Sequence, residues 1–257
     1  MPLNQAIFLG VVQGLTEFLP VSSSGHLVLF QNLFGWQQAN LAFDVWLHLA
    51  TVLAIMVFFW SDLKEIQLTE IKAILIGSIP AFLAGWFFHT QLNDWFHSIQ
   101  VVVISLIITG LFNFYIDANI EKSKVHTSEP VSEPNGFIIG IFQALAIIPG
   151  ISRSGATVAG GVYRGLERIN AFRFSFLLAI PAILGASSLQ LWNLNQTGFA
   201  QVEPVPFAAG AAAAFVVGLL SLKLFHYVIK TAKMEWFGWY CVVLGGVGAL
   251  LISISIN

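Results

Sequence analysis

Two apolar runs in this chain are broken near their middle by the same kind of polar insert. Gln13 to His26 reads QGLTEFLPVSSSGH, and Gln143 to Thr157 reads QALAIIPGISRSGAT. In each, a proline ends the helix before it, because its ring excludes the helical conformation for the preceding residue and removes an N–H. A Ser–Gly cluster then offers turn and capping chemistry. Each stretch is expected to be two short helices around a bend. Residues 4 to 17 as a helix would cover roughly 21 Å at 1.5 Å per residue, short of the ~30 Å hydrocarbon layer. A hairpin that enters and returns is the expected form.

Composition supplies the membrane that this inference needs. With 57% hydrophobic and 9% charged residues, a chain of this size has too little polar surface to coat a soluble globule. The N-terminus runs directly into the first polar insert, so no cleavable leader is expected. Six further stretches qualify as spans, at about 42 to 60, 73 to 90, 99 to 116, 172 to 192, 207 to 225 and 236 to 255. The net charge of -2 and the absence of a basic face argue against nucleic acid as a partner. Cys241 stands alone in an apolar run, which excludes an intrachain disulfide framework and reads as a small packing residue.

Aligning Gly10 to Gly25 on Gly140 to Gly155 without gaps gives six identities in sixteen, where about one is expected from average residue usage. The chain is therefore expected to be a duplication: repeat one over about 1–116, a polar linker over 117–135 and repeat two over about 136–257, all in a single integral membrane domain. The basic residues orient it, since Lys and Arg collect in cytoplasmic loops. Lys64 and Lys72, Lys122 and Lys124, Arg164 and Arg168, and Lys230 and Lys233 fall on one side only if both broken hairpins return to the side they entered. The fold class expected is an all-α polytopic membrane protein, an inverted-topology repeat of six transmembrane helices plus two re-entrant helical hairpins that meet near the midplane.

Ionisable groups at membrane depth are expensive and mark function by default. Gln13 and Glu17, four residues apart, share a helix face that leads to Ser22, Ser23, Ser24, Gly25 and His26. In the second insert Ser152, Arg153, Ser154, Gly155 and Thr157 open the returning half-helix. Two half-helix N-termini presenting free N–H groups to one point make an anion site, and the planar fork of Arg153 suits phosphate oxygens. A hydroxyl beside a carboxylate and an imidazole can lose its proton and become a nucleophile. Blander roles compete: the serines as helix caps, Arg153 as the ion-pair partner of Glu17, and Gln13 and His26 as interhelical hydrogen-bonding groups. Spacing does not decide among Ser22, Ser23 and Ser24.

Other polar residues carry weaker signals. Asp44 and His48 read as a structural polar pair, or as groups lining an entrance or binding a cation. His89, Asp94 and His97 read as solvated residues of an outer connection. Trp36, Trp60, Trp86, Trp95, Trp192, Trp236 and Trp239 lie near span ends, where tryptophan anchors to the interface. Arg164, Arg168 and Arg173 read as topology-setting charges, or as contacts to lipid phosphates.

The two inserts resemble the (E/Q)xxxE plus serine–histidine signature and the PGxSRSxxT signature of the undecaprenyl-diphosphate phosphatases associated with bacitracin resistance. The resemblance implies hydrolysis of undecaprenyl diphosphate to undecaprenyl phosphate and inorganic phosphate, recycling the lipid carrier of envelope polymers in the bacterial inner membrane. It implies Glu17 as the acidic residue acting as base or metal ligand and Gln13 at the variable Glu/Gln position, both as candidate ligands of a divalent cation, Mg or Ca. It further implies Ser23 as nucleophile, His26 as proton carrier or diphosphate ligand, and Arg153 as diphosphate clamp. Gln13, Ser22, Ser24, Gly25, Ser152, Ser154, Gly155 and Thr157 complete the expected substrate site. The implied partners are a prenyl diphosphate lipid and the membrane lipids around it, with room for a homodimer. A secondary transporter or lipid flippase is the competing expectation, because inverted repeats with broken helices are also transporter architecture. A purely structural membrane subunit would leave Glu17 and Arg153 without a purpose.

Overall fold

The computed structural model describes residues 1–34, 36, 41–119, 130–197, 203–231 and 233–256. Lys122, Lys124 and most of the expected linker lie outside the described residues. Among the described residues there are twelve α-helices and no strand.

The first apolar run divides where the proline rule requires. Helix α1, Leu3–Phe18, stops at Leu19, which is extended (φ -65°, ψ 146°) because Pro20 follows it. Helix α2, Ser23–Leu33, restarts after the bend. The second run behaves alike: α8, Glu133–Leu145, ends at Ala146, Gly150 turns the chain at φ 94°, and α9, Arg153–Tyr163, follows.

The six longer stretches are all helical, with boundaries moved. Helix α3, Leu41–Phe58, ends before a separate short helix α4, Trp60–Glu65. Helix α5, Leu68–Phe87, begins and ends earlier than expected. The segment read as an outer connection is itself helix α6, His89–His97. Helix α7, Ile99–Ala118, starts under a Ser98 cap whose Oγ accepts from Val101 N, and its last turn takes in the first residues assigned to the linker. Helices α10 (Arg168–Thr197), α11 (Pro204–Thr231) and α12 (Glu235–Ile256) complete the chain. Among the described residues α5, α7, α10 and α11 are long and apolar enough to cross a bilayer, and Ala42–Phe58 is a shorter apolar helix. Their outward residues are apolar too, with Phe82 67% and Leu220 59% exposed, an arrangement that suits lipid rather than water. The chain is a multi-pass helical membrane protein.

Packing is reciprocal between the halves: α1 lies along α11, and α8 lies along α5. In lipid there is little hydrophobic drive between helices, so close backbone approach at small residues has to supply the attraction. Gly10 and Gly140, paired in the sequence alignment, do so at equivalent places. A Cβ on Gly10 would sit 2.2 Å from the Gly210 carbonyl oxygen, and one on Gly140 would sit 2.1 Å from that of Gly77. Helices α7 and α12 pack together, α3 packs against α10 and α11, and an aromatic core of Phe18, Phe59, Phe172, Phe176 and Phe225 fills the space between them.

Candidate active site

The two bends meet. Gly150 N donates to Ser24 Oγ (3.3 Å), Ser154 Oγ donates to Leu19 O (3.3 Å), and a Cβ on Gly155 would lie 3.4 Å from the Pro20 ring. Each bend also carries the same cap. Ser22 Oγ accepts from Gly25 N and Ser152 Oγ accepts from Gly155 N, both at 3.2 Å. Each capping hydroxyl touches the serine two residues on, Ser24 at 3.3 Å and Ser154 at 3.1 Å. These caps satisfy one N–H of each half-helix and leave the positive ends of α2 and α9 beside one another. Ser22 holds its place at φ 71°, a left-handed conformation unusual for a residue with a side chain.

Between the bends lies Glu17. Its Oε2 accepts from Ser23 Oγ at 2.6 Å and from Gln13 Nε2 at 3.2 Å, and its Oε1 accepts from Arg153 Nη2 at 2.9 Å. Ser23 and Arg153 occupy the same place in the alignment of the two inserts, so the duplicated position flanks the carboxylate from both sides. Glu17 is 8% exposed and Gln13 is fully buried, and a charge so placed is tolerable only because it is paired and fully hydrogen-bonded. Two polar atoms nearby remain unused: Arg153 Nη1 and Gln13 Oε1 are buried without a hydrogen-bond partner. One is a cationic donor and the other an acceptor, so a ligand with phosphate oxygens and an attendant cation would satisfy both.

The family described as bacitracin resistance protein BacA matches residues 6–247, a span that takes in both bends and every helix between them. This chain belongs to the BacA family. Curated relatives agree over nearly full length. An undecaprenyl-diphosphatase from Halothermothrix orenii is 37% identical over 251 residues, covering 95% of this chain and 96% of the relative. Proteins of the same name from Desulfosudis oleivorans (39%, covering 95% and 96%) and Carboxydothermus hydrogenoformans (39%, covering 94% of each) are equally close.

The remaining motif residues of this BacA family member are distributed more widely. Thr157 Oγ1 donates to Arg153 O (2.7 Å) and shares a 2.5 Å hydrogen bond with Ser175 Oγ of α10, tying α9 to its neighbour. His26 does not bond to Glu17 or Arg153. Its Nδ1 lies 2.7 Å from Ser22 O and its Nε2 lies 2.7 Å from Tyr240 Oη. A carbonyl only accepts, so Nδ1 carries the hydrogen, and the neutral ring then accepts from Tyr240 at Nε2. Gln143, the counterpart of Gln13, is buried with neither amide atom partnered and takes no part in the Glu17 cluster.

Several contributors lie outside the motifs. His48 Nε2 stands 4.0 Å from Glu17 Oε2, while its Nδ1 bonds the backbone oxygen of Asp44 at 2.7 Å. The bond goes to the backbone and not to the Asp44 carboxylate, whose Oδ1 is buried without a hydrogen-bond partner; nor does the i, i+4 spacing reveal that the imidazole faces the site. Tyr240, Ser175, Thr109 and Asn113 belong to single apolar helices, and periodicity alone gives no sign of them. The arginines read as topology charges are also structural partners: Arg164 Nε donates to Asn135 (2.9 Å), Arg168 pairs with Asp117, and Arg173 bonds Asp62 (2.5 Å) and both oxygens of Glu70 (2.5 and 2.9 Å). Cys241 is a buried free cysteine.

Proposed function

We propose that this chain hydrolyses undecaprenyl diphosphate to undecaprenyl phosphate and inorganic phosphate, the activity named for its close relatives. The observation that carries the reading is Glu17 bonded at once to the Ser23 hydroxyl and to the Arg153 guanidinium. That contact unites a base, a nucleophile and an anion ligand drawn from two separate inserts. The family is described by bacitracin resistance, and the same activity is proposed to underlie it here.

In this mechanism Glu17 removes the Ser23 proton, and Ser23 Oγ attacks the terminal phosphorus. The P–O bond to undecaprenyl phosphate breaks, and that lipid phosphate leaves with its electron pair. Glu17 passes the proton it took from Ser23 to the departing lipid phosphate; water, deprotonated by the restored carboxylate, then attacks the phosphoserine, and that proton returns to Ser23 Oγ as inorganic phosphate is released. Arg153 holds the phosphoryl oxygens through the Nη1 that has no protein partner, and the amides at the start of α2 and α9 add fixed dipoles where charge develops. What supports Ser23 over its neighbours is that Ser22 and Ser24 are engaged with backbone groups of the bends.

A divalent cation, Mg or Ca, fits the donor set as a guest shared with substrate. Among the described residues no group of three His, Cys, Asp or Glu gathers to hold one, but one carboxylate with substrate phosphates is the usual way Mg²⁺ is held. Glu17 and the unpartnered Gln13 Oε1 would hold it, and when bound it neutralises diphosphate charge.

The finer architecture belongs to the same proposal. Six spans with two re-entrant hairpins, duplicated in inverted topology with a linker over 117–135, account for the reciprocal packing of α1 on α11 and α8 on α5 and for the matched serine caps. The site then lies at midplane depth in the bacterial inner membrane, reached laterally by a lipid, and the expected homodimer is checked by the mass of the detergent-solubilised protein. The transporter reading shares this architecture. Phosphate release from undecaprenyl diphosphate by purified protein in detergent, where no transport exists, decides between them: release at a rate abolished by Glu17→Gln is expected, and no release would sink the enzymatic reading.

A further inference from the structure

Besides the direct Ser24 and Ser154 contacts, two side chains one turn apart on α7, outside both motifs, each bind one of the bends. Thr109 Oγ1 donates to Gly150 O (2.8 Å) and accepts from Ser152 N (2.9 Å), so its single hydrogen and a lone pair are both spent on the second bend. Asn113 Nδ2 donates to Pro20 O (2.8 Å) in the first bend and to Thr109 O (3.0 Å) of its own helix. Both side chains are fully buried. One helix face thus grips the backbone three residues from Glu17 and immediately before Arg153.

The arrangement carries a cost that packing alone does not explain. Both partners of the Asn113 amide are carbonyls, which fixes the amide orientation and leaves Oδ1 buried without a partner. An apolar side chain there would avoid that desolvation. The Pro20 carbonyl receives this amide at 2.8 Å and the weaker Cys241 thiol donor at 3.8 Å, so the amide is the stronger hold on the first bend.

We propose that Thr109 and Asn113 are positioning residues for the reaction described above, on which this inference rests: they set the separation of the two bends and hence the reach of Arg153 to Glu17. Neither touches Glu17, Ser23 or Arg153; they act through the backbone. A displacement of about 1 Å at a reacting centre costs about 100-fold in rate, so loss of the Thr109 hydroxyl shows in kcat.

The test compares Thr109→Val, equal in shape but without the hydroxyl, with Thr109→Ser, which keeps it. The full-length protein is used in detergent, with phosphate release from undecaprenyl diphosphate as one readout. The second is the distance distribution between spin labels at the exposed positions Leu15 and Leu145, one on each hairpin. Expected are a roughly 100-fold lower kcat with little change in KM for Thr109→Val, near wild-type kcat for Thr109→Ser, and a broadened label distance for the Val variant only. The proposal is overturned by wild-type kcat in Thr109→Val, by equal losses in the two variants, or by an unbroadened distance. The distance measurement needs no turnover, so a wild-type protein that released no phosphate would defeat the enzymatic reading while the clamp is still judged by the labels.

Discussion

Ser23 hands its hydroxyl hydrogen to Glu17 across 2.6 Å, although a bend containing Pro20 separates the two residues in the chain. The pair proposed as base and nucleophile is therefore already in hydrogen-bond contact. Ser23→Ala and Glu17→Gln are each expected to lower kcat by about 10²- to 10⁴-fold, the range for a positioned proton transfer. Ser22→Ala removes a cap instead, with a smaller kinetic loss and about 1 kcal/mol less stability. Steady-state phosphate release together with thermal melts separates the two classes, and an equal kinetic loss in all the serine variants would remove the assignment to Ser23.

Arg153 is the counter-charge of Glu17 and the proposed ligand of the diphosphate. Arg153→Ala leaves the Glu17 carboxylate buried and uncompensated, which costs about 3–5 kcal/mol where a buried pair is broken. Arg153→Lys keeps the charge but not the planar fork, so it should regain most of the stability while KM for the diphosphate stays raised. Melting curves and KM measured on the same preparations check this; identical KM values for lysine and arginine would contradict the role of the free Nη1.

A single carboxylate with an amide oxygen makes a weak cation site on its own. Chelation is accordingly expected to suppress phosphate release without lowering the melting temperature, and Mg²⁺ or Ca²⁺ to restore it. Gln13→Glu adds a second carboxylate and should lower the cation concentration that gives half-maximal rate, as read from a metal titration. Activity indifferent to chelator would exclude the cation.

Gly10 and Gly140 bring helix backbones into contact. Substitution by alanine at either is expected to destabilise by about 1–3 kcal/mol or more through overpacking, because the obstacle is a carbonyl oxygen rather than a flexible side chain. Gly85→Ala, inside α5 where nothing lies within 4 Å, is the control and should leave the melting temperature unchanged or raise it, since alanine favours the helix by about 0.5–1 kcal/mol. Thermal unfolding in detergent gives the comparison.

The parts of the fold visible in the sequence are those written in local chemistry. Pro20 and the Pro149–Gly150 pair announce the two bends, Ser22 and Ser152 their caps, and uninterrupted apolar runs the longer helices. The pairing of Glu17 with Arg153 could be anticipated because a buried charge needs a partner and few exist in this chain. What stayed hidden depends on which helix neighbours which. Thr109 and Asn113 look like ordinary polar residues of a spanning helix until α7 is seen to pass both bends, and Tyr240 gains a role only through its contact with His26. The α6 helix is not legible in the sequence because its polar, histidine-containing segment shows none of the apolar length that marks the spans.

Ser22 keeps a left-handed backbone that glycine would adopt freely, a burden on the order of 1–3 kcal/mol. A Ser22→Gly chain would shed that tension yet forfeit the hydroxyl that anchors Gly25. Sturdiness and competence are thus set against each other at one residue, and a search for hardier versions of this protein would be drawn toward the very bend it most needs to leave alone.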